Sequence, residues 1–427
     1  MSVRNRLQRL TGEAPVSISK EEKPQVTALR RRIEEILGRR PEPPPRRPDR
    51  FPPLGEIVAG EEVNTPHGPL FVTGETLGGG ACHGHRRVAD LAALDMDRAA
   101  LLGNVRDLAG LGPENLLFLD TETTGLAGGT GTVAFLIGLG WFEGTRFTLR
   151  QLFLRDYAEE RAALAHLTEL AAPRKALVTF NGKAFDLNLL AARFVMNRLP
   201  NPLEGLPHLD LLHPSRRLVG RRLENCRLGT LEAALLGLLR EDDLPGSEIP
   251  ERYFRWLRTR DGRLLGDIFR HNRLDIISLA ALAVHLTELV LPEPPPVADI
   301  RDLLAAARLL VARGDRAGAE EILGRLTGGA EGRLSREARV QLSLLFKQSG
   351  RRDEAGRLWR EMLRGDPGDA FAAEELAKDL EHGRKDVREA LAVVEHWLAC
   401  GSGTEGETGA FLHRRVRLRR RVGLAPP

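Results

Sequence analysis

The sequence predicts an α/β domain followed by an all-α helical-repeat domain, and three observations predict it. The apolar run Leu116 to Leu119 stops at two carboxylates spaced by one residue, Asp120 and Glu122, and reads as the end of a buried strand. The stretch after it shows strand-length apolar runs and helical periodicities in the order strand, hairpin, helix, strand, helix. Past a proline-rich break at Leu291 to Pro296, Gly314 precedes Ala319 by the same interval as Gly350 precedes Ala355, and Gly383 recurs roughly a repeat later, a period in the mid-thirties.

Taken in order, Val26, Leu29, Ile33, Ile36 and Leu37 recur at helical spacing, so an amphipathic helix is expected there. Arg39 to Pro53 alternates seven prolines with arginines and reads as a solvated tether. Residues 56–73 alternate toward strand character about a turn at Asn64 to Pro69. Cys82-His83-Gly84-His85 sets soft and imidazole ligands close together, but no second ligand cluster accompanies it and it reads as a loop. In the core, Val133 to Phe142 and Thr145 to Leu154 predict a hairpin about Glu143-Gly144, Ala158 to Ala172 a helix, Ala176 to Phe180 a strand, Phe185 to Leu199 a helix and His208 to Leu212 a strand. Leu228 to Leu239 and Leu264 to Leu289 are helical patterns. The expected division is a basic helix and Pro/Arg-rich linker at 1–55, an accessory hairpin segment at 56–114, the α/β domain at 115–290, a Pro-rich linker at 291–298, helical repeats at 299–410 and an Arg-rich tail at 411–427.

Successive strand residues face opposite ways, so Asp120 and Glu122 share one face, and Gly125 permits the turn after them. Two like charges held that close repel and lose hydration, which a cation relieves, and all-oxygen ligands suit Mg²⁺ or Mn²⁺ better than zinc. An Asp-x-Glu alone reads first as a solvated strand-end turn carrying two ordinary surface acids. Here the longer run Asp120-Thr-Glu-Thr-Thr-Gly-Leu126 is followed by Asn181-Gly182-Lys183-Ala184-Phe185-Asp186, then by His271-Asn272-Arg273-Leu274-Asp275. Asp186 falls in the first turn of a helix, where a carboxylate complements the dipole. His271, Asp275 and Ser278 lie on one stripe of the last helix, and Ile276, Leu279, Ala283 and Leu286 on another, apolar one.

In that order the three motifs resemble the signatures of the DEDD exonucleases, the ribonuclease-H-like family that includes polymerase proofreading domains. With Asn272, the Asp242-Asp243-Leu244-Pro245-Gly246 segment and the C-terminal repeats, the chain most resembles the YprB-type ribonuclease-H-like proteins of bacteria. The resemblance covers Asn115 to Leu289 and implies a ribonuclease-H-like mixed sheet flanked by helices. It implies a 3′–5′ exonuclease that cleaves single-stranded DNA or RNA with two divalent metal ions, Mg²⁺ or Mn²⁺. Asp120 would bridge both ions, Glu122 and Asp275 would ligate the one that activates water, and Asp186 would reach the other. Thr123 and Leu126 match positions on the terminal nucleotide, and Asn181 is a candidate substrate contact. The ordinary pKa of an imidazole lies near working pH, which suits a histidine such as His271 to the general base. His271 stands four residues before Asp275, the spacing of the family's tyrosine branch rather than its histidine branch, yet i, i+4 keeps the two on one face.

Residues 342–370 resemble a tetratricopeptide unit, which implies a groove for a protein partner, against the plainer reading of a helical cap. Arg216, Arg217, Arg221 and Arg222 suit phosphates or a solvated loop equally. The aromatics and arginines of Glu251 to Arg260 suit either base stacking or an amphipathic helix that buries Tyr253 and Trp256. Arg414, Arg415, Arg417, Arg419, Arg420 and Arg421 form the strongest basic run, a nucleic-acid contact or a solvated end. A net charge of +4 leans mildly toward anionic partners, and three distant cysteines, Cys82, Cys226 and Cys400, make no disulfide framework. The start lacks an apolar signal core and no apolar stretch has membrane-spanning length, so a cytoplasmic protein is expected. Two rivals stand beside the exonuclease: a catalytically silent nucleic-acid-binding scaffold, and a structure-specific endonuclease using the same metals.

Overall fold

The computed structural model describes residues 51–125, 131–241, 243–295, 298–328, 332–401 and 403–424. The helix expected at Val26 to Leu37, most of the proline tether, Leu126 and Asp242 lie outside them. Seven strands form one mixed sheet: β1 (Glu61–Thr65), β2 (Gly68–Leu77), β3 (Leu116–Thr123), β4 (Ala134–Glu143), β5 (Arg146–Phe153), β6 (Ala176–Thr179) and β7 (His208–Asp210). Their spatial order is β1-β2-β5-β4-β3-β6-β7. The hairpin neighbours pair antiparallel, while β3–β6 and β6–β7 are parallel because a helix intervenes before each new strand. The residue 61–77 hairpin is no separate piece, since β2 adds to the sheet through Phe71 opposite Phe153 and Leu77 opposite Phe147.

Strand β3 shows how the sheet makes two cores. Leu116 and Phe118 enter one apolar cluster, and Leu117 and Leu119 the other. The first cluster takes in α1 (Met96–Gly103), α4 (Leu212–Leu218) and α5 (Leu228–Leu231), and the second packs α2 (Glu160–Ala171), α3 (Asp186–Met196) and α6 (Ile249–Thr259). Tyr253 and Trp256 are buried in it, with Tyr253 stacked on Phe135 at 3.9 Å, so the core reading of α6 holds over the base-stacking one. The first cluster packs α7 (Gly266–Glu288). That helix comes close because β4 carries glycines beneath it: a Cβ at Gly140 would lie 2.6 Å from Ile276 Cγ2.

The helical pattern of residues 228–239 breaks early. After α5 the backbone widens into a π turn at Glu232–Leu236 and stops at Gly237 in the left-handed conformation, so Leu239 and Arg240 leave the helix. Beyond the prolines run α8 (Ile300–Arg313), α9 (Arg316–Thr327), α10 (Arg333–Gln348), α11 (Arg352–Gly365), α12 (Ala370–Lys378), α13 (Val387–Cys400) and α14 (Glu405–Arg421). Gly314 and Gly350 are left-handed turn residues, and Ala319 and Ala355, five positions on, are buried where helices cross. In the third unit the same geometry falls on Lys385 and Ala390 rather than on Gly383, which lies in a π turn, Asp379–Arg384.

The helical array continues the first of these cores, and one apolar cluster runs from Val88 to Leu418. Arg222 fastens it by donating to both oxygens of the buried Asp302 carboxylate at 3.0 and 2.7 Å, so this loop arginine is spent internally. Among the described residues no helix is long and apolar enough to cross a membrane.

His285 of α7 has its pKa lowered to about 3, by burial first and then by Arg86, His85 and Arg222. Its ring also lies 3.2 Å from Arg86, which is itself paired with Glu288. A histidine in the unfolded chain takes a proton near pH 6.5, which the folded ring refuses until about 3, so stability attributable to this site falls as pH drops through that window. His285→Gln should therefore flatten the loss of thermal midpoint between pH 6.5 and 4 relative to wild type, measured by circular dichroism melts. An unchanged slope would place the acid sensitivity elsewhere.

Candidate metal centre

Asp120 and Glu122 leave β3 on the face of Leu116 and Phe118, half-buried beneath α7. The pairing with β4 shifts register between Glu122 and Thr123, ending the ladder where the carboxylates emerge. From α7 come His271, Asn272 and Asp275. Glu122, His271 and Asp275 each present a ligand atom within 4.8 Å of the others. Asp186 starts α3 and accepts a 2.5 Å hydrogen bond from the Thr121 hydroxyl. Burial raises the pKa of Asp120 well above the ordinary carboxylate range, and Asp275, Glu122 and Asp186 push it further. Glu122 is raised by burial, then by Asp275 and Asp186, and Asp186 is raised by burial. Such mutual repulsion is what a bound cation removes, and a set of carboxylates with one imidazole fits a hard divalent ion.

A buried amide network holds Asp120. Asn272 donates to Asp120 Oδ2 at 2.9 Å and accepts from Gln151 at 2.9 Å, while Gln151 also donates to the Phe269 carbonyl and accepts from Thr73. Asn272 is fully buried, and a Cβ at Gly138 would lie 2.2 Å from its Oδ1. The loop that presents Asp186 is held by Asp210, whose carboxylate accepts from the backbone N–H of Asn181 at 2.8 Å, of Lys183 at 3.0 Å and of Leu212 at 3.1 Å. Asp210, the last residue of β7, thus serves the loop, and Asn181 takes a left-handed φ of 65° there. Thr123 donates to the Gly125 carbonyl at 2.9 Å.

Arg240 is the residue that sequence reasoning missed. Its guanidinium donates to Asp275 Oδ1, to Glu232 at 2.5 and 2.7 Å and to Asp243 at 3.2 Å. Glu232, wholly buried in the π turn, also accepts from Ser278, whose hydroxyl is 2.7 Å from His83 Nε2. His83 is pulled down to about 4 by burial, Arg240 and Arg273, so it stays neutral. His271 has Nδ1 2.9 Å from Asp243 Oδ1 and Nε2 3.5 Å from Asp275 Oδ2. Against burial, His271 and Arg240 hold Asp243 below its ordinary value. The signal for Arg240 was an arginine closing an apolar helical pattern. Its partners lie up to 35 residues away, so spacing alone does not find them.

Two comparisons with known proteins bear on the family. A family model described as RNase_H superfamily matches residues 117–287. A Bacillus subtilis (strain 168) protein, "Uncharacterized protein YprB", is 36% identical over 330 residues, covering 75% of this chain and 78% of its own length.

A methyl group at position 138 has no room beside Asn272. Gly138→Ala should cost about 1–3 kcal/mol in denaturant unfolding, the usual range for overpacking. The same substitution should weaken stabilisation by Mn²⁺, because the amide that orients Asp120 is displaced. Wild-type stability and wild-type response to Mn²⁺ would mean that α7 and β4 adjust freely.

Proposed function

The chain belongs to the RNase H superfamily, in the family of the Bacillus subtilis YprB protein, and on that premise we propose that it is a metal-dependent nuclease, acting as a 3′–5′ exonuclease on single-stranded DNA or RNA. The observation that carries this reading is the convergence of Asp120, Glu122 and Asp275 with Asp186 and a histidine, from β3, α3 and α7. Asp120, Glu122, Asp186 and Asp275 would hold two Mg²⁺ or Mn²⁺ ions, which when bound supply an acidified water and charge stabilisation at the leaving oxygen. Asn272 fixes the orientation of Asp120, and Asp243 fixes that of His271. With Nδ1–H given to Asp243, the His271 lone pair sits at Nε2 on the carboxylate side, where it can take a proton from an attacking water. Phe185, immediately before Asp186, is 56% exposed, and an aromatic left open at the site mouth supports contact with an unpaired base. Thr123 and Leu126 are proposed as contacts to the terminal nucleotide, and Asn181 as a further substrate contact. The exonuclease polarity rests on the motif resemblance.

The helical array is proposed as tetratricopeptide-like and able to take a protein partner on the same scaffold. Free cysteines at 82, 226 and 400 support a reducing, cytoplasmic setting. One observation favours the silent-scaffold alternative: Arg240 already neutralises Asp275. An endonuclease would use the same residues with a different closure of the groove.

Purified protein incubated with 5′-labelled DNA and RNA oligomers and Mn²⁺ should give a ladder of labelled fragments shortened stepwise from the 3′ end, whereas discrete internal cuts would favour the endonuclease and a full-length labelled oligomer the scaffold. Divalent ions should raise the thermal midpoint of the wild type and do so much less in Asp120→Asn, since they bind only the folded site. An equal shift in both proteins would remove Asp120 from the metal centre. His271→Ala should lower turnover by about two to four orders of magnitude while Mn²⁺ stabilisation and oligomer binding survive. Near wild-type turnover would reduce His271 to a structural role.

A further inference from the structure

The helical array carries a second charged site. Lys347 in the last turn of α10, Lys378 at the end of α12 and Arg414 and Arg417 on α14 come from the first helices of two successive pairs and from the helix that follows them, and line one cleft of about 340 Å³ with Arg352. Trp359 of α11 closes it, and its indole N–H is buried without an acceptor among the described residues.

The charges are layered. Glu375, Asp379 and Glu381 lie underneath, their side chains only 9, 7 and 1% exposed. Over Glu375 stand Lys347 at 2.5 Å and Lys378 at 3.0 Å. Over Asp379 stand Arg384 at 3.1 Å and Arg352 at 4.0 Å. Over Glu381 stand Arg414, Arg417 and Arg421 at 3.3, 2.6 and 2.9 Å. Lys378 and Arg414 also reach the more exposed Glu374, at 3.0 and 3.9 Å, and Arg384 reaches Asp353 at 2.6 Å, yet the cations still outnumber all of these carboxylates, and Arg352, Arg417 and Lys347 keep 59, 44 and 43% of their side chains in solvent. The surface presented is positive, and ion pairs from below hold the cations in place, which lowers the entropy lost on binding an anion.

We propose that this cleft binds the phosphate backbone of a single-stranded nucleic acid, apart from the metal centre. The choice of nucleic acid rests on the nuclease reading and on the lining. Among the described residues no aliphatic side chain and no Asn or Gln lines the cleft, so it lacks the apolar sockets and amide pairs that would read a peptide. The lining also holds His382 and the carboxylates of Glu375 and Asp379, but the two acids are already paired with cations, and the Lys and Arg groups and the indole N–H are donors only, which suits phosphate oxygens without regard to sequence.

The test is fluorescence anisotropy of the full chain with a labelled single-stranded 20-mer in EDTA, so that neither metal nor cleavage contributes. The variant is Arg352→Gln with Lys378→Gln. It leaves Arg384 on Asp379 and Lys347 on Glu375, so no buried carboxylate is stripped, and circular dichroism checks the fold. Affinity near 0.1 M salt should fall about tenfold or more, and the slope of log K against log salt should shrink by about 0.7 for each cation removed. If the double variant unfolds, each single variant should show its own share of the slope change. Unchanged affinity and slope would overturn the proposal, as would displacement of the 20-mer by a polyglutamate peptide at lower concentration than by unlabelled oligomer. A wild type that cleaves nothing, with the variant effect intact, would remove the catalytic reading and leave this site standing.

Discussion

Repulsion among half-buried carboxylates is the constraint around which the molecule is arranged. Asp120, Glu122, Asp186 and Asp275 are brought together from a strand end and two helices, and each of the first three has its pKa raised by burial, Asp120 and Glu122 also by their neighbours. Groups in that state protonate, bind cations or are paired, because an isolated buried charge is too costly to keep. The chain supplies part of the answer itself through Arg240, which bridges Asp275 and the buried Glu232. Asp120 has no cation of its own among the described residues, only the Asn272 amide. A divalent ion therefore has most to gain at the β3 side of the cluster, with Arg240 completing the balance at the α7 side.

Holding such a cluster requires a rigid floor. The two additional strands of the residue 61–77 hairpin extend the sheet beyond β5 and place Thr73 against Gln151, which orients Asn272 and through it Asp120. Small residues in β4 let α7 approach near enough for that chain of amides to close. A hydrogen bond inside this core is exchanged for nothing if broken, since water cannot replace the lost partner, and that asymmetry gives the network its stiffness.

The helical array shares this rigidity because its apolar core is continuous with that of the sheet and because Arg222 and Arg98 tie its first two helices to the α/β part through Asp302 and Asp315. Its arginines are used in two ways. Arg414, Arg417 and Arg421 converge on Glu381 from the last helix, so much of the basic C-terminal run is spent on folding. What remains positive is concentrated above buried carboxylates, in a fixed pattern rather than along a loose end.

Several features were legible in the sequence alone because they are local. The alternation of Leu116 to Glu122 dictates which face the acids take, the glycine at 144 and its flanking apolar runs dictate a hairpin, and the i, i+4 spacing of His271 and Asp275 puts both on one stripe of α7. The repeat of Gly314 and Gly350 followed by buried alanines belongs with these, since a left-handed turn and a small crossing residue are demands of one helix pair. Only the tertiary structure decided the rest. Arg240 reaches Asp275 because a π turn ends the preceding helix early, His83 joins Ser278 across 195 residues, and three arginines meet one glutamate from different turns of a helix. Sequence periodicity reports which way a side chain points from its own backbone. Which charge it meets depends on how separate elements dock, and that is set by the summed packing of both cores.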